Sequence, residues 1–231
     1  MMSGKHGTCN QGGYMTVISI LNQKGGAGKT TLATNIAKGL QLEGHKVLLV
    51  DSDPQGSARD WSAANENCSI TVVGIDRPTI DRDIKNIKSQ YEYIVIDGAP
   101  QAHDLAVSAI KASDLVLIPV QPSPYDIWAA EALVNLVKQR IEITNGELKA
   151  AFVISRAIYG TKIGESVVEA LSGYELDILK TRTFQRVVYS TTAAQGLSVF
   201  ESAKQDEAAM DEISNIIQEA KMKLKEEVIH D

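Results

Sequence analysis

An α/β fold, with a mostly parallel sheet flanked by helices on both faces, is what this chain predicts, and three observations predict it. Short apolar runs alternate along the sequence with helical patterns. Several runs are apolar throughout, the mark of strands buried on both faces of a parallel sheet. Between the first run and the first helical pattern lies a Gly-rich turn, Lys24-Gly25-Gly26-Ala27-Gly28-Lys29-Thr30-Thr31.

The elements follow in order. Strands are expected at Val17–Leu21, Val47–Val50, Ile70–Ile75, Tyr93–Ile96, Leu115–Val120, Leu148–Ile154 and Leu176–Leu179. Helices are expected between and after them, at Thr30–Leu42, Ala58–Asn65, Thr79–Ser89, Asp104–Ala112, Asp126–Ile141 and Lys162–Leu171. In the fifth, Ile127, Ala130, Val134, Val137 and Ile141 recur at spacings of three and four and form a core-facing stripe. A last helix, Lys204–Glu227, carries Met210, Ile213, Ile217, Ala220 and Leu224 on one stripe. Acids crowd its start and lysines its end, as the helix dipole favours. The segment Thr181–Ser202 reads as surface structure around a ligand site. Residues 1–14 are Gly-rich and polar and read as a flexible arm or tag; residues 15–231 read as a single domain. Lys5, His6 and Cys9 are too few to make a metal site.

Composition narrows the classes. At 231 residues, with 44% hydrophobic and 23% charged, the chain is long enough for a sizeable core and is not disordered. A net charge of −6 excludes a protein that is basic overall, though not a local basic patch. No run of about 18 apolar residues suggests a membrane span, and the first residues lack the apolar stretch of a secretory signal. Cys9 and Cys68 have no motif spacing, so a cytoplasmic setting is expected.

The Gly-rich turn has the strand–loop–helix context of a phosphate-binding loop. Gly25, Gly26 and Gly28 let backbone N–H groups curl toward phosphate oxygens, and the helix N-terminus adds partial positive charge. Lys29 would pair with β- and γ-phosphates, and the Thr30 hydroxyl would hold Mg²⁺. The general pattern G-x-x-x-x-G-K-[ST] is broken at its first position, where Gln23 stands, and a second lysine, Lys24, precedes the glycines. Asp51 and Asp53, at a strand end, can serve different jobs beside one phosphate site, or simply form a turn fixed by Pro54.

With these residues in view, KGGAGKTT resembles the deviant Walker A box of the ParA/MinD superfamily of P-loop ATPases. VLLVDSDPQGSA (47–58) is similar to its box with two aspartates, and YIVIDGAP (93–100) to its Walker B strand. DLVLIPVQPSPYDIWAA (114–130) and GLSVFE (196–201) also look ParA-like. The resemblance spans roughly residues 15–228 and is nearest the short, ParF-like proteins of plasmid partition. It implies an ATPase that turns ATP into ADP and phosphate with Mg²⁺ at a weak intrinsic rate. It implies that Asp97 and Asp51 serve Mg²⁺ and its waters, that Asp53 positions the attacking water, and that Lys24 reaches a partner's nucleotide across a homodimer formed on ATP. Gly25 to Thr31 would cradle the phosphates, and Arg156 would stack on adenine or make a surface salt bridge. The usual D-x-x-P-P of the Walker B box reads D-G-A-P here, which leaves Gln101 and His103 without an assigned role.

The same resemblance implies nonspecific DNA binding by the ATP-bound dimer, nucleoid association, and a ParB-like centromere-binding partner that stimulates hydrolysis. Lys180, Arg182 and Arg186 are the candidate DNA contacts, with Arg182 and Arg186 alternatively at the nucleotide or dimer surface. The lysines near 221–225 also suit the helix dipole. Trp128 lies beside its helix's apolar stripe, at an interface or in the core. A protein cargo positioned on the nucleoid is the alternative function. A membrane switch is disfavoured because the tail KMKLKEEVIHD mixes acids with lysines and lacks aromatics. An iron–sulfur carrier is disfavoured because paired cysteine ligands are missing.

Overall fold

The structure, a computed structural model, describes residues 15–100, 102–160 and 163–226. The arm 1–14, Gln101, and the outer ends of the helices expected from Lys162 and to Glu227 lie outside the described residues.

Seven strands form one sheet: β1 Thr16–Ile20, β2 Val47–Asp51, β3 Thr71–Gly74, β4 Tyr93–Asp97, β5 Leu115–Val120, β6 Lys149–Ile154 and β7 Asp177–Ile178. Their order is β3-β2-β4-β1-β5-β6-β7, and every pairing is parallel. The helices are α1 Lys29–Leu42, α2 Ser57–Ala63, α3 Ile80–Ile87, α4 His103–Ala112, α5 Pro124–Ile143, α6 Ile163–Ser172, α7 Val187–Ala193 and α8 Glu207–Lys225.

The continuous apolar runs have the predicted cause. In the central strands alternate side chains feed two separate cores. Val17, Leu48, Val50, Ile94, Ile96, Val116, Ile118 and Phe152 face one core, shared with α4 and α5. Ile18, Ile20, Val47, Leu49, Val95, Leu115, Leu117 and Val153 face the other, shared with α1 and α8. The α5 stripe is buried at Ile127, Ala130, Val134 and Val137, and that of α8 at Ile213, Ile217 and Ala220.

β1 lies between β4 and β5, and the chain crosses over it on the way from β4 to β5. That is the position at which parallel α/β sheets open a crevice at the carboxyl ends of their strands. The Gly-rich turn follows β1 there. Behind it α1 seats closely on α8: a Cβ on Gly39 would lie 2.4 Å from Ile217 Cδ1 and 3.1 Å from the Phe200 ring.

The motif GLSVFE acts as a strut. Val199 N donates to Asn35 Oδ1 of α1 at 2.8 Å, Glu201 pairs with Lys38 at 2.8 Å, and Leu197 O accepts from Trp61 Nε1 of α2 at 3.1 Å. Gly196 has φ +65°, and a Cβ there would meet Trp61 O at 2.5 Å. One short segment thus ties the helix after the phosphate loop to the helix after the aspartates.

Two expectations change. β7, at one edge of the sheet, pairs with β6 over two residues rather than four. The segment 181–202, read as surface structure around a ligand site, does line the cleft but also contains a helix not expected there, α7, whose Tyr189 and Thr192 are buried.

Candidate functional site

The site is a cleft of about 890 Å³ at the carboxyl ends of the strands. At one end lie Gly25, Gly26, Gly28, Lys29, Thr30, Thr31 and Asp53; at the other lie Arg156, Ile158, Tyr159, Phe184, Arg186 and Tyr189.

The loop is pinned from behind. Asn22 Nδ2 donates to Pro119 O at 2.6 Å, and Asn22 Oδ1 accepts from Lys24 N at 2.9 Å. Buried Ala27 offers its carbonyl to Ser155 Oγ at 2.6 Å, and Gln121 Nε2 donates to Gly26 O at 2.7 Å. With carbonyls tied back, the N–H side of the loop is left to the cleft. Gly26 and Gly28 have φ of +77° and +95°, which favour glycine. Gly28 is also the N-cap of α1, so no cap side chain occupies the first-turn N–H groups. Gly25 is not in the left-handed region; a Cβ there would point into open space.

Lys29 is 7% exposed, and its Nζ donates to Lys24 O at 3.0 Å. Burial lowers its pKa, opposed by the charges of Asp97 and Asp53. An arriving phosphate would supply the counter-charge that burial denies it.

Asp51 and Asp97 sit side by side in register on β2 and β4 but differ in their partners. Asp51 has partners on both oxygens: Oδ1 accepts from Asp53 N at 3.0 Å, and Oδ2 from Arg59 N at 2.9 Å and Arg59 Nε at 3.4 Å. Asp97 Oδ2 accepts from Thr30 Oγ1 at 2.7 Å, while its buried Oδ1 has no hydrogen-bond partner among the described residues. Burial, reinforced by the Asp51 charge and opposed by the Thr30 hydrogen bond, pushes the Asp97 pKa up to about 7.

An orphaned carboxylate oxygen beside a hydroxyl is a hard-oxygen donor set that fits Mg²⁺, which binds through one or two protein oxygens plus substrate phosphates. The described residues hold no group of three or more His, Cys, Asp and Glu that could make an all-protein cage. Thr30 and Asp97 would therefore hold the ion, and Asp51 would act on it by charge. Asp53 lines the cleft, its Oδ1 accepting from Gln55 N at 2.9 Å and its carbonyl from Arg59 Nη2 at 2.9 Å.

Lys24 ion-pairs with Asp126 of α5 at 2.5 Å; Asp126 is 2% exposed, and its Oδ1 has no partner among the described residues. Arg156, at φ +55°, reaches Gly26 O with Nη1 at 3.4 Å and lines the cleft, so the arginine is at the loop rather than in a distant salt bridge.

The basic trio is not one patch. Arg186 is ion-paired: its Nε donates to Glu212 at 2.7 Å and its Nη1 lies 3.7 Å from Asp206, and it lines the cleft, the alternative placement at the nucleotide surface. Arg182 lines a small recess with Pro122, Tyr159 and Phe184. Lys180 is exposed. Lys221 is tied to Glu43, and Lys223 to Asp177 at 2.9 Å. His103 begins α4, is exposed, and lies 3.1 Å from Asp104. Trp128 is 64% exposed and meets Tyr125 edge-on at 5.6 Å.

Sequence reasoning missed Arg59, Asp126, Ser155 and Glu212. A trace existed for Asp126 alone, in the helix-start pattern Ser123-Pro124-Tyr125-Asp126.

A family model described as an AAA domain matches residues 15–76 and 64–150. The chain is 31% identical over 207 residues to maintenance of carboxysome distribution protein A of Halothiobacillus neapolitanus, covering 87% of this chain and 94% of that protein. It is 31% identical over 223 residues to sporulation initiation inhibitor protein Soj of Bacillus subtilis, covering 78% of this chain and 88% of that protein. Among solved structures, a Cyanothece McdA–ATP complex superposes with TM-score 0.71 at 18% identity, over 94% of this chain and all of that one. The MinD cell division protein of Aquifex aeolicus gives TM-score 0.70 at 21% identity, over 88% and 96%.

Proposed function

Because the chain belongs to the ParA/MinD superfamily of P-loop ATPases, we propose that it is an ATP-driven spatial organiser that dimerises on ATP, binds DNA without reading sequence, and resets on hydrolysis. The observation that carries the chemistry is the convergence of Lys29, Thr30, Asp53 and the half-orphaned Asp97 at one end of the cleft.

The chain's own groups divide the work. The loop N–H groups and Lys29 take the β- and γ-phosphates. When bound, Mg²⁺ would neutralise developing phosphate charge from its place on Thr30 and Asp97. Asp53 orients the attacking water. Lys24, released from Asp126, reaches the second copy's phosphates and supplies positive charge in the manner of an arginine finger. Arg156 closes the loop's outer side toward the nucleoside.

The cargo follows the partner. The resemblance to short, ParF-like proteins favours DNA partition with a ParB-like centromere-binding partner that stimulates hydrolysis; the ATPase motifs themselves do not separate the cargoes. A protein cargo is the second reading, supported by the relative whose name concerns carboxysome distribution. No described helix is long and apolar enough to cross a membrane. Filter binding of nonspecific duplex DNA tests the shared part: retention is expected with ATP and Mg²⁺ at low salt and little with ADP. No retention with ATP overturns DNA tracking for either cargo. Deleting the gene then separates the cargoes, since plasmid loss marks partition and scattering of a protein assembly marks positioning.

A further inference from the structure

The base end of the cleft is built from chain with little regular structure. Residues 180–186 form neither helix nor strand beyond one isolated bridge, between Ala157 and Phe184. Backbone bonds run from Ala157 N to Thr183 O at 2.8 Å and from Gln185 N to Ala157 O at 2.9 Å. They fix one edge of the segment; on the other, Glu219 of α8 accepts from Lys180 N at 2.6 Å and Thr181 N at 2.9 Å, and the cleft end rests on one further carboxylate.

That carboxylate is Glu212 of α8, whose residue is 7% exposed. Oε1 accepts from Arg186 Nε at 2.7 Å. Oε2 accepts from Tyr189 Oη at 2.8 Å and from Phe184 N at 3.2 Å. All three donors belong to residues that line the cleft, and none belongs to the phosphate loop. With a triphosphate in the loop, the cleft leaves room for the nucleoside toward this wall, where the rings of Tyr159, Phe184 and Tyr189 and the guanidiniums of Arg156 and Arg186 stand with apolar Ile158 and Val187. Such a wall suits a planar base.

We infer that Glu212 is the positioning residue of the nucleoside subsite: it touches no nucleotide, and it sets ATP affinity by fixing the places of Phe184, Arg186 and Tyr189. The inference rests on the cleft being an ATP site. A glutamine at 212 has nearly the same shape, but one of its two polar ends is an NH₂ donor. It must face either Arg186 Nε or the Tyr189 and Phe184 donors, so at least one bond is lost whichever way the amide turns. Loss of a charge-assisted bond within a buried set corresponds to roughly tenfold or more in an equilibrium constant.

The experiment compares two probes by calorimetry in Mg²⁺ buffer: ATP, which needs both ends of the cleft, and inorganic tripolyphosphate, which needs the loop alone. For Glu212→Gln, ATP affinity should fall about tenfold or more while tripolyphosphate affinity stays within about twofold. Tyr189→Phe removes one donor and leaves the carboxylate paired with Arg186, so a smaller, ATP-selective loss is expected even if Glu212→Gln folds poorly. Equal losses for both probes, or no loss for either, overturn the assignment to Glu212 while leaving the ATP site intact. A wild-type protein that binds neither probe overturns the ATP reading itself, and the inference with it.

Discussion

The two ends of the cleft are made by different means. The phosphate end is local: eight consecutive residues, 24–31, carry the two left-handed glycines, the buried lysine and the hydroxyl, and neighbouring strand ends add the aspartates. The base end is assembled at a distance, from an irregular segment held by Glu212 on a later helix. Left-handed glycines therefore shape the phosphate end, and a buried side-chain carboxylate completes what backbone bonds begin at the base end. Substitutions in the loop should act on binding or chemistry outright, whereas those around residue 212 should act in degree.

The largest effect sharpens that contrast at the phosphate end. Lys29 is buried, burial destabilises its ammonium, and its Nζ donates to a backbone carbonyl, Lys24 O. Lys29→Ala should abolish productive ATP binding, with calorimetric affinity down by about a hundredfold or more, since a charged contact to a desolvated phosphate is lost. Wild-type affinity in this variant would mean that the loop is not the phosphate site. Next in size, Asp53→Ala should still bind ATP and dimerise by light scattering, but release phosphate about a hundredfold more slowly. Normal hydrolysis would remove Asp53 from the chemistry.

The phosphate end was legible in the sequence because its constraints are local. A positive φ demands glycine at 26 and 28, and a phosphate demands a lysine and a hydroxyl at fixed offsets. The central strands were legible for a related reason: two cores, one on each face, leave few polar positions within them, Ser19 of β1 among those few. The rest failed where the partner is far away in sequence. Asp126 meets Lys24 across 102 residues and Glu212 meets Arg186 across 26, and neither separation leaves a local pattern. α7 was missed because Val-Val-Tyr-Ser-Thr-Thr is a poor helix former. It is helical because Tyr189 and Thr192 are buried and Glu212 holds the phenol.

Asp97 and Asp51 provide an internal comparison of smaller effect. Asp97 has a folded-state pKa of about 7 against an ordinary 3.8, so between those values the folded, nucleotide-free protein binds a proton that the unfolded chain has lost. Stability contributed by this group is therefore present at low pH and declines as pH rises through about 4 to 7, by up to roughly 4 kcal/mol. Urea midpoints in EDTA, taken across that range, should show the decline in wild type and a flatter profile in Asp97→Asn. Identical profiles would place the pH dependence elsewhere.

The smallest effect concerns DNA, where the basic trio divides along the same line as the cleft. Arg186 is consumed by Glu212 and Asp206 at the base end, with 27% of its side chain exposed, whereas Lys180 is exposed and makes no ion pair among the described residues. Each phosphate neutralised by the dimer contributes roughly −0.9 to the slope of log affinity against log salt, because a condensed counterion is released. A single substitution changes two contacts in a dimer. Lys180→Ala should therefore make the slope shallower by up to about 2, and Arg186→Ala should leave it where it was. Arg186→Ala should instead weaken ATP binding, because it unpairs Glu212 and loosens the wall. Filter binding of nonspecific duplex DNA at several salt concentrations, with ATP saturating for each variant, separates the two. If Arg186→Ala makes the slope shallower and leaves ATP affinity alone, its ion pairs must open on DNA. The base end would then be a DNA-responsive surface rather than a fixed wall. If neither variant moves the slope, the dimer meets DNA on another face, and the trio has no part in it.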